Sequence, residues 1–190
     1  MVTDRLIVPA IRMPYERAPV QEMRGLGCGE IAVFRLDASD WEILADLRLQ
    51  ALRESPLAFL GDVATEKEYA DRHWRNELEL NVWFLAKFAD KAVGITMLNH
   101  NAQPNDGMHL EAMWVASEVR GKGVGACLVS AVEAAAVELG AKQLRLWVFE
   151  ENPSAKEFYL RLGYAKSGHR QPIKVNDRTT IETEYEKQLA

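Results

Sequence analysis

Hydrophobic and polar residues alternate in patterns that divide the chain, from about residue 31 onward, into strands and helices. Seven segments have the alternating or short continuous apolar pattern of a strand: 31–36, 82–88, 92–98, 108–115, 143–149, one that begins at Tyr164, and 180–189. Four segments have apolar residues at helical spacing: about 39–55, 65–80, 124–139 and 152–163. The predicted order is β-α-α-β-β-β-α-β-α-β-β, which describes a mixed α/β sheet with a strand, a glycine turn, a helix and a strand at its centre.

Short-range signals predict where several of these elements begin. Ser39 is followed three residues later by Glu42, the spacing of a capping box at the start of a helix. Asn152 precedes Pro153, which is the order of an N-cap residue and a first helical residue. Asp90 separates two apolar runs, so we expect the flanking strands to pair as a hairpin.

The first 29 residues show no persistent helical or strand period. Three prolines recur and three glycines then cluster: Pro9, Pro14, Pro19, Gly25, Gly27 and Gly29. No Lys-Ser/Thr pair follows these glycines, so a flexible linker is favoured over a phosphate-binding loop. We interpret residues 1–29 as an extended arm, with one short strand at residues 6–8, that docks on the domain or on a partner subunit of a homodimer. Residues 30–190 then form a single domain.

Composition excludes several classes of protein. The 190 residues carry 23 Lys and Arg against 28 Asp and Glu, a net charge of −5, so we expect neither nucleic acid nor an acidic membrane as a partner. Two cysteines, Cys28 and Cys127, cannot form a disulfide framework. No apolar run approaches the roughly 20 residues of a membrane helix, and no secretory signal is evident. A cytoplasmic protein is the expectation.

The turn after the fourth strand contains the chemistry that stands out most. It reads Arg120, Gly121, Lys122, Gly123, Val124, Gly125 and Ala126. Glycines let backbone N–H groups approach an anion, and a helix N-terminus adds unsatisfied donors and partial positive charge. The segment therefore predicts a phosphate or pyrophosphate site. The Walker A pattern is absent, and a dinucleotide fingerprint fails because more than 100 residues of α+β pattern precede the turn.

This turn resembles the Arg/Gln-x-x-Gly-x-Gly/Ala signature of the GNAT superfamily of acetyl-CoA-dependent N-acetyltransferases. The spacing of Asn152, Ala155, Tyr159 and Gly163 is similar to the superfamily's second signature, and the resemblance extends over about residues 31–189. It implies the GNAT fold, with a mixed, mostly antiparallel sheet of about seven strands flanked by four helices.

The resemblance also implies a site for acetyl-CoA as co-substrate, with no metal. Its backbone and side-chain contacts would come from three segments: Met113, Trp114 and Val115; Arg120, Gly121, Lys122, Gly123, Val124, Gly125 and Ala126; and Asn152, Ala155 and Phe158. Met113 and Val115 are equally consistent with core packing, and Asn152 with a helix cap alone. Cys127 is interpreted as a small buried hydrophobe.

Two residues are candidates for proton transfer. The resemblance implies that Tyr159 faces the sulfur of CoA as a general acid. The alternative is that Tyr159 is only an aromatic core residue that packs its helix against the sheet. An alkylamine is mostly protonated at pH 7, so a base must accept a proton before attack. Glu111, on the strand that enters the site, is the candidate base, and His109 or a water chain is the alternative.

The predicted function is transfer of an acetyl group from acetyl-CoA to a primary amine, by direct attack of the amine on the thioester. This is the activity of an acyltransferase that transfers groups other than aminoacyl groups. The alternatives are acetylation of a protein or peptide N-terminus, use of another acyl-CoA donor, and a catalytically degenerate domain that binds CoA as a sensor. The acceptor would lie among the loops at 54–65 and 99–106 and the segment after Gly168. The acidic balance favours a cationic acceptor.

Overall fold

The computed structural model describes residues 18–24, 30–100, 107–175 and 178–189. Its strands form one sheet in the order β1-β2-β3-β4-β5-β6-β8-β7. The strands are β1 (Gln21–Arg24), β2 (Glu30–Arg35), β3 (Val82–Phe88), β4 (Lys91–Asn99), β5 (Met108–Val115), β6 (Gln143–Phe149), β7 (Ala165–Val175) and β8 (Arg178–Gln188). The helices are α1 (Trp41–Glu54), α2 (Val63–Glu66), α3 (Asp71–Leu80), α4 (Val124–Glu138) and α5 (Pro153–Arg161), with 3₁₀ turns at Ala38–Asp40 and Ser117–Val119.

The sheet is mixed and mostly antiparallel, as predicted. Only the β5–β6 pair is parallel among the described strands. Helices cover both faces of the sheet. Side chains along β4 point alternately to the two faces. A Cβ on Gly94 would lie 3.1 Å from Leu128 of α4, whereas Met97 points to the other face, which α1 and α3 cover. The seven strands predicted between residues 31 and 189 are all present.

The eighth strand, β1, comes from the predicted arm. Gln21 to Arg24 pair antiparallel with β2, and the Val20 amide donates to the Val33 carbonyl at 2.7 Å. The arm therefore extends the sheet at one edge. The short strand predicted at residues 6–8 lies outside the described residues.

Two predicted helix boundaries are wrong. Ser39 is not the first N-cap: the carboxylate of Asp37 accepts from the Ser39 amide at 2.8 Å, and the capping box joins Asp37 and Asp40. The helix predicted over 65–80 is two helices, α2 and α3. Asp62 caps α2 by accepting from the Thr65 amide at 2.9 Å, and α3 starts only at Asp71. The apolar spacing over 65–80 includes Tyr69, which lies between the two helices and is 38% exposed.

No helix of the described segments is long and apolar enough to span a membrane. The core lies between the sheet and both helix layers. Val82 through Ala86 of β3 are all buried, so the centre of the sheet is covered on both faces. This rigid centre positions the carboxyl ends of β5 and β6, where the candidate site lies.

Candidate active site

The strands β5 and β6 pair only at their first residues and then separate. Met108 pairs with Leu144 and His109 with Arg145, and no later pairing joins the two described strands. The remaining residues of β5 and β6 therefore present backbone N–H and C=O groups to a gap inside the sheet. Such an edge can bind an extended ligand by strand addition.

A bulge re-aims the residues of β5 beside this gap. Met97 of β4 pairs with Glu111, but Ile95 pairs with Trp114, so β5 has one extra residue there. Ala112, within the bulge, has a φ of +52°, a left-handed conformation that is unusual for a residue other than glycine. Thr96 stabilises the bulge, because its hydroxyl donates to the Glu111 carbonyl at 3.1 Å. The side chains of Glu111, Ala112 and Met113 consequently all line one cleft.

The glycine turn leads directly into α4. Gly121 and Gly123 have φ values of +78° and +95°, so a glycine is suited to each position. The first intrahelical bond of α4 runs from the Cys127 amide to the Gly123 carbonyl, which leaves the amides from Gly123 to Ala126 without an intrahelical acceptor. Four such donors, together with the helix dipole, are chemically suited to an anion.

Gly125 is required for a different reason. Its φ is ordinary, but a Cβ there would lie 3.1 Å from the Phe158 ring. The absence of a side chain at Gly125 therefore lets α5 approach α4 closely, and Phe158 seals the space between the two helices.

The two cations of the turn are engaged elsewhere in the protein. The Arg120 Nε donates to the Val115 carbonyl at 2.8 Å, and its Nη2 lies 3.3 Å from the Ser55 hydroxyl. The Lys122 ammonium lies 5.2 Å from the centre of the Phe88 ring. Arg120 thus binds the end of β5. The backbone amides of the turn are therefore the groups that are available to an anion.

Helix α5 supplies the other wall of the cleft. Asn152 caps it, since its side-chain oxygen accepts from the Ala155 amide at 3.1 Å. Asn152, Ala155, Phe158 and Tyr159 all line the cleft, as expected for residues about two turns apart at most. Asn152 therefore caps α5. Because it also lines the cleft, its contact with a ligand stays a prediction.

Tyr159 is 5% exposed, and burial raises the pKa of its phenol well above the ordinary range. No described residue forms a hydrogen bond with its hydroxyl. The phenol is held by ring packing, with the Tyr164 ring centroid 5.6 Å away and the Phe158 centroid 5.0 Å away. Tyr159 is thus a neutral phenol at physiological pH, positioned on the cleft wall.

The cleft has a volume of about 540 Å³ and extends from α5 across β6 and β5 to α1 and α3. It brings together six predicted site residues: Glu111, Met113, Asn152, Ala155, Phe158 and Tyr159. The Trp114 side chain is buried in the core, Val115 lies beside the Arg120 brace, and the glycine turn lies outside the cleft lining. The predicted residues therefore occupy two regions, a cleft and the N-terminal end of α4.

The two candidate bases differ in position. Glu111 is exposed in the cleft, and one of its oxygens accepts from the Asn99 amide at 3.0 Å. His109 is 7% exposed, does not line the cleft, and has its Nε2 3.9 Å from a carboxylate oxygen of the buried Glu184. The geometry favours Glu111. Burial also raises the pKa of the Cys127 thiol, so that group is not an activated nucleophile.

The sequence analysis predicted part of the cleft lining, since the loop at 54–65 contributes Phe59. It did not predict the acidic and aromatic side chains that α3, β3, β6 and β8 contribute: Glu77, Trp74, Trp83, Trp147 and Glu182. The one available signal was the pair of glutamates at 182 and 184, which share a strand face. No cluster of three or more metal-ligating side chains occurs within the described ranges.

The parallel strands β5 and β6 separate, a glycine turn leads into α4, and α5 carries a tyrosine. These features together define the fold of an acetyltransferase that uses acyl-CoA. The profile of the acetyltransferase (GNAT) family matches residues 48–164, more than half of the 190 residues. The chain belongs to the GNAT acetyltransferase family.

Two curated relatives match parts of the chain. An uncharacterized N-acetyltransferase of Methanocaldococcus jannaschii is 27% identical over 95 residues, which is 48% of this chain and 42% of the relative. The thialysine N-ε-acetyltransferase of Bos taurus is 31% identical over 70 residues, which is 37% of this chain and 41% of the relative. The chain thus spans less than half the length of the curated relatives it matches.

Solved structures share the fold at low sequence identity. A GNAT-family acetyltransferase of Streptococcus pneumoniae superposes with a TM-score of 0.71 and 15% identity, covering 84% of this chain and 99% of that one. A Salmonella typhimurium structure that holds its cofactor acetyl-CoA superposes with a TM-score of 0.67 and 16% identity, covering 84% and 94%. The GNAT fold predicted from the sequence is confirmed.

Proposed function

We propose that this protein transfers the acetyl group of acetyl-CoA directly to a primary amine. The observation that carries the proposal is the single cleft in which the open edge of β5, Glu111 and Tyr159 meet. The Bos taurus relative is named for acetylation of an amine nitrogen, which supports the choice of acceptor. The charge balance and the paucity of cysteines favour a reducing, cytoplasmic location.

The residues present fit acetyl-CoA. The four amides at the start of α4 suit a pyrophosphate, and Gly121 and Gly123, which adopt positive φ, have no side chain to obstruct it. From Met113 to Val115, β5 pairs with β4 but has no strand partner on its β6 side. Apart from the Val115 carbonyl, which accepts from Arg120, that edge suits the amide groups of the pantetheine arm. When bound there, acetyl-CoA supplies an activated thioester carbonyl.

Glu111 is the residue that we expect to move a proton from the acceptor. An ammonium is not nucleophilic, and the exposed carboxylate of Glu111 can accept its proton directly or through water. Asn99 holds one oxygen of Glu111 at 3.0 Å, which leaves the other oxygen available to the acceptor.

Tyr159 acts at the opposite wall. Burial raises the pKa of its phenol, so the hydroxyl stays protonated at neutral pH and can donate a hydrogen bond to the thiolate as it departs. Exclusion of water by Phe158 and the surrounding rings would prevent premature hydrolysis.

Release of free thiol from acetyl-CoA, measured with a panel of small primary amines and with peptides bearing a free N-terminus, tests the proposal. Amine-dependent thiol release and an acetylated product detected by mass spectrometry are expected. Tight acetyl-CoA binding with no amine-dependent release would instead favour a CoA-binding sensor.

A further inference from the structure

Thr96 is a polar residue within a buried run of β4. Residues 93–98 are all buried, and Thr96 is 0% exposed. The other members of the run carry no polar side chain: Val93, Gly94, Ile95, Met97 and Leu98. A valine has nearly the same shape as a threonine and would pack at this position without a polar group to satisfy. The hydroxyl of Thr96 therefore calls for a specific explanation.

The hydroxyl is used at the bulge of β5, where it donates to the Glu111 carbonyl at 3.1 Å. Thr96 lies between Ile95, which pairs with Trp114, and Met97, which pairs with Glu111. It therefore faces the position at which β5 has its extra residue. The hydrogen bond fixes the backbone of β5 at the point where the bulge begins.

The conformation of Ala112 shows why the bulge needs support. Its φ of +52° is costly for a residue with a Cβ, and such a conformation persists only where the surrounding structure holds it. Gly94 makes room for the bulge, because a Cβ there would lie 2.9 Å from the Trp114 carbonyl oxygen. Strand β4 thus accommodates the bulge at Gly94 and holds it with the hydroxyl of Thr96.

The bulge determines where Glu111 points. Consecutive side chains of a regular strand alternate between the two faces, but Glu111, Ala112 and Met113 all line the cleft. A second residue of β4, Asn99, donates to the Glu111 carboxylate at 3.0 Å. Strand β4 therefore binds Glu111 twice, through its backbone carbonyl and through its side chain.

Thr96 does not line the cleft. Its side chain points with the position of Gly94 to the face that α4 covers, whereas the neighbouring Met97 points to the other face and lines the cleft. An effect of the Thr96 hydroxyl on the reaction must therefore act through the backbone of β5.

We propose that Thr96 is a positioning residue for acetyl transfer. Its hydroxyl holds the bulge of β5, which directs the Glu111 carboxylate to the acceptor amine and the β6-facing edge of β5 to the pantetheine arm. The inference rests on the proposed acetyl transfer and adds to it a residue whose side chain lies on the opposite face of the sheet.

Thr96→Val removes the hydroxyl with the least change in shape. It should lower kcat by about 10-fold and weaken acetyl-CoA binding by about threefold or more, because a hydrogen bond is lost and both Glu111 and the β5 edge are displaced. Thr96→Ser keeps the hydroxyl and should restore most of the rate and of the affinity.

Thr183→Val is the matched control. Thr183 is a buried threonine of β8 whose hydroxyl donates to Glu150 at 2.8 Å, and it does not line the cleft. Loss of this hydroxyl removes a comparable hydrogen bond from a strand that does not contact Glu111. Its rate and its acetyl-CoA affinity should stay within about twofold of the unmodified protein.

A double-mutant cycle shows whether Thr96 acts through Glu111. In the Glu111→Gln background, Thr96→Val should lower kcat by less than about twofold, since the base that it positions is already absent. An equal loss of rate in both backgrounds would overturn the proposal, as would a Thr96→Val rate within about threefold of the unmodified protein. If Thr96→Val does not fold, Thr96→Ala takes its place in the same cycle, with Thr96→Ser as its reference.

Calorimetry with acetyl-CoA separates this inference from the proposed function. If no amine releases thiol, the proposed transfer fails, while a loss of affinity in Thr96→Val that Thr96→Ser restores still supports the positioning of β5. If thiol is released but Thr96→Val and Thr183→Val behave alike in rate and affinity, the positioning role is refuted and the acetyl transfer stands.

Discussion

Replacement of Tyr159 by phenylalanine distinguishes a proton donor from a packing residue. The ring is buried against Phe158 and Tyr164, and these contacts survive the substitution. No described group hydrogen-bonds the hydroxyl, so its loss leaves no partner unsatisfied. We therefore expect Tyr159→Phe to change the free energy of unfolding by less than about 1 kcal/mol.

The catalytic effect should be much larger than the effect on stability. Removal of a positioned acid typically costs about 10²-fold in rate, which is about 2.7 kcal/mol of barrier. The KM for acetyl-CoA should change little, because the ring that lines the cleft remains. The raised pKa keeps the phenol protonated beyond pH 10, so ionisation of Tyr159 should not produce a loss of activity below that pH.

Steady-state kinetics between pH 6 and pH 10, together with urea unfolding, measure both quantities. Tyr164→Phe is the matched control, because Tyr164 packs against Tyr159 but does not line the cleft. It should retain the full rate. A rate for Tyr159→Phe within about threefold of the unmodified protein, less than 1 kcal/mol of barrier, would refute the general-acid role.

Three further substitutions test the remaining parts of the site and fold. Glu111→Gln should lower kcat by about 10²-fold and remove the acid limb of the pH–rate profile, since an amide cannot titrate, and an unchanged limb would exclude Glu111 as base. Gly125→Asp should abolish CoA binding, measured by calorimetry, because it adds both a side chain and a negative charge at the start of α4. Gly125→Ala adds only the side chain and so separates the steric effect from the charge effect. Unchanged affinity for CoA in a folded Gly125→Asp variant would contradict the anion site. Asp37→Ala should reduce the free energy of unfolding by about 1 kcal/mol, whereas Ser39→Ala should cost less, and the reverse order in urea titrations would restore Ser39 as the cap.

The sequence predicted the elements whose signals are local. The hairpin around Asp90 and the Asn152 cap each depend on a few neighbouring residues. The boundary of the first helix was missed because Asp37 and Ser39 both have capping chemistry, and only the fold decides which side chain receives the amide. The break between α2 and α3 was missed for a similar reason, since both pieces continue one apolar period.

The residues of the candidate site show the same difference between positions that are close in the sequence and positions that only the fold brings together. The glycine turn was found because its residues are consecutive, and Asn152 and Tyr159 because they share one helix. The bulge at Ala112 carries no sequence signal, since alanine has no preference for positive φ. That Glu77 and Glu182 line one cleft depends on helix placement and strand order, because the two positions are 105 residues apart in the sequence (182 minus 77).

The early separation of β5 and β6 has a consequence for the cohesion of the whole sheet. Among the described strands, only two residue pairs join the half that contains β1 to β5 to the half that contains β6 to β8. A ligand that pairs with the open β5 edge would restore part of the missing ladder. It would stabilise the native state by mass action, by an amount that grows with the logarithm of its concentration relative to its dissociation constant. Amide hydrogen exchange along β5 should consequently slow when the cofactor is added. The supply of acetyl donor would then set how long each copy of the protein survives proteolysis, as well as how fast it works.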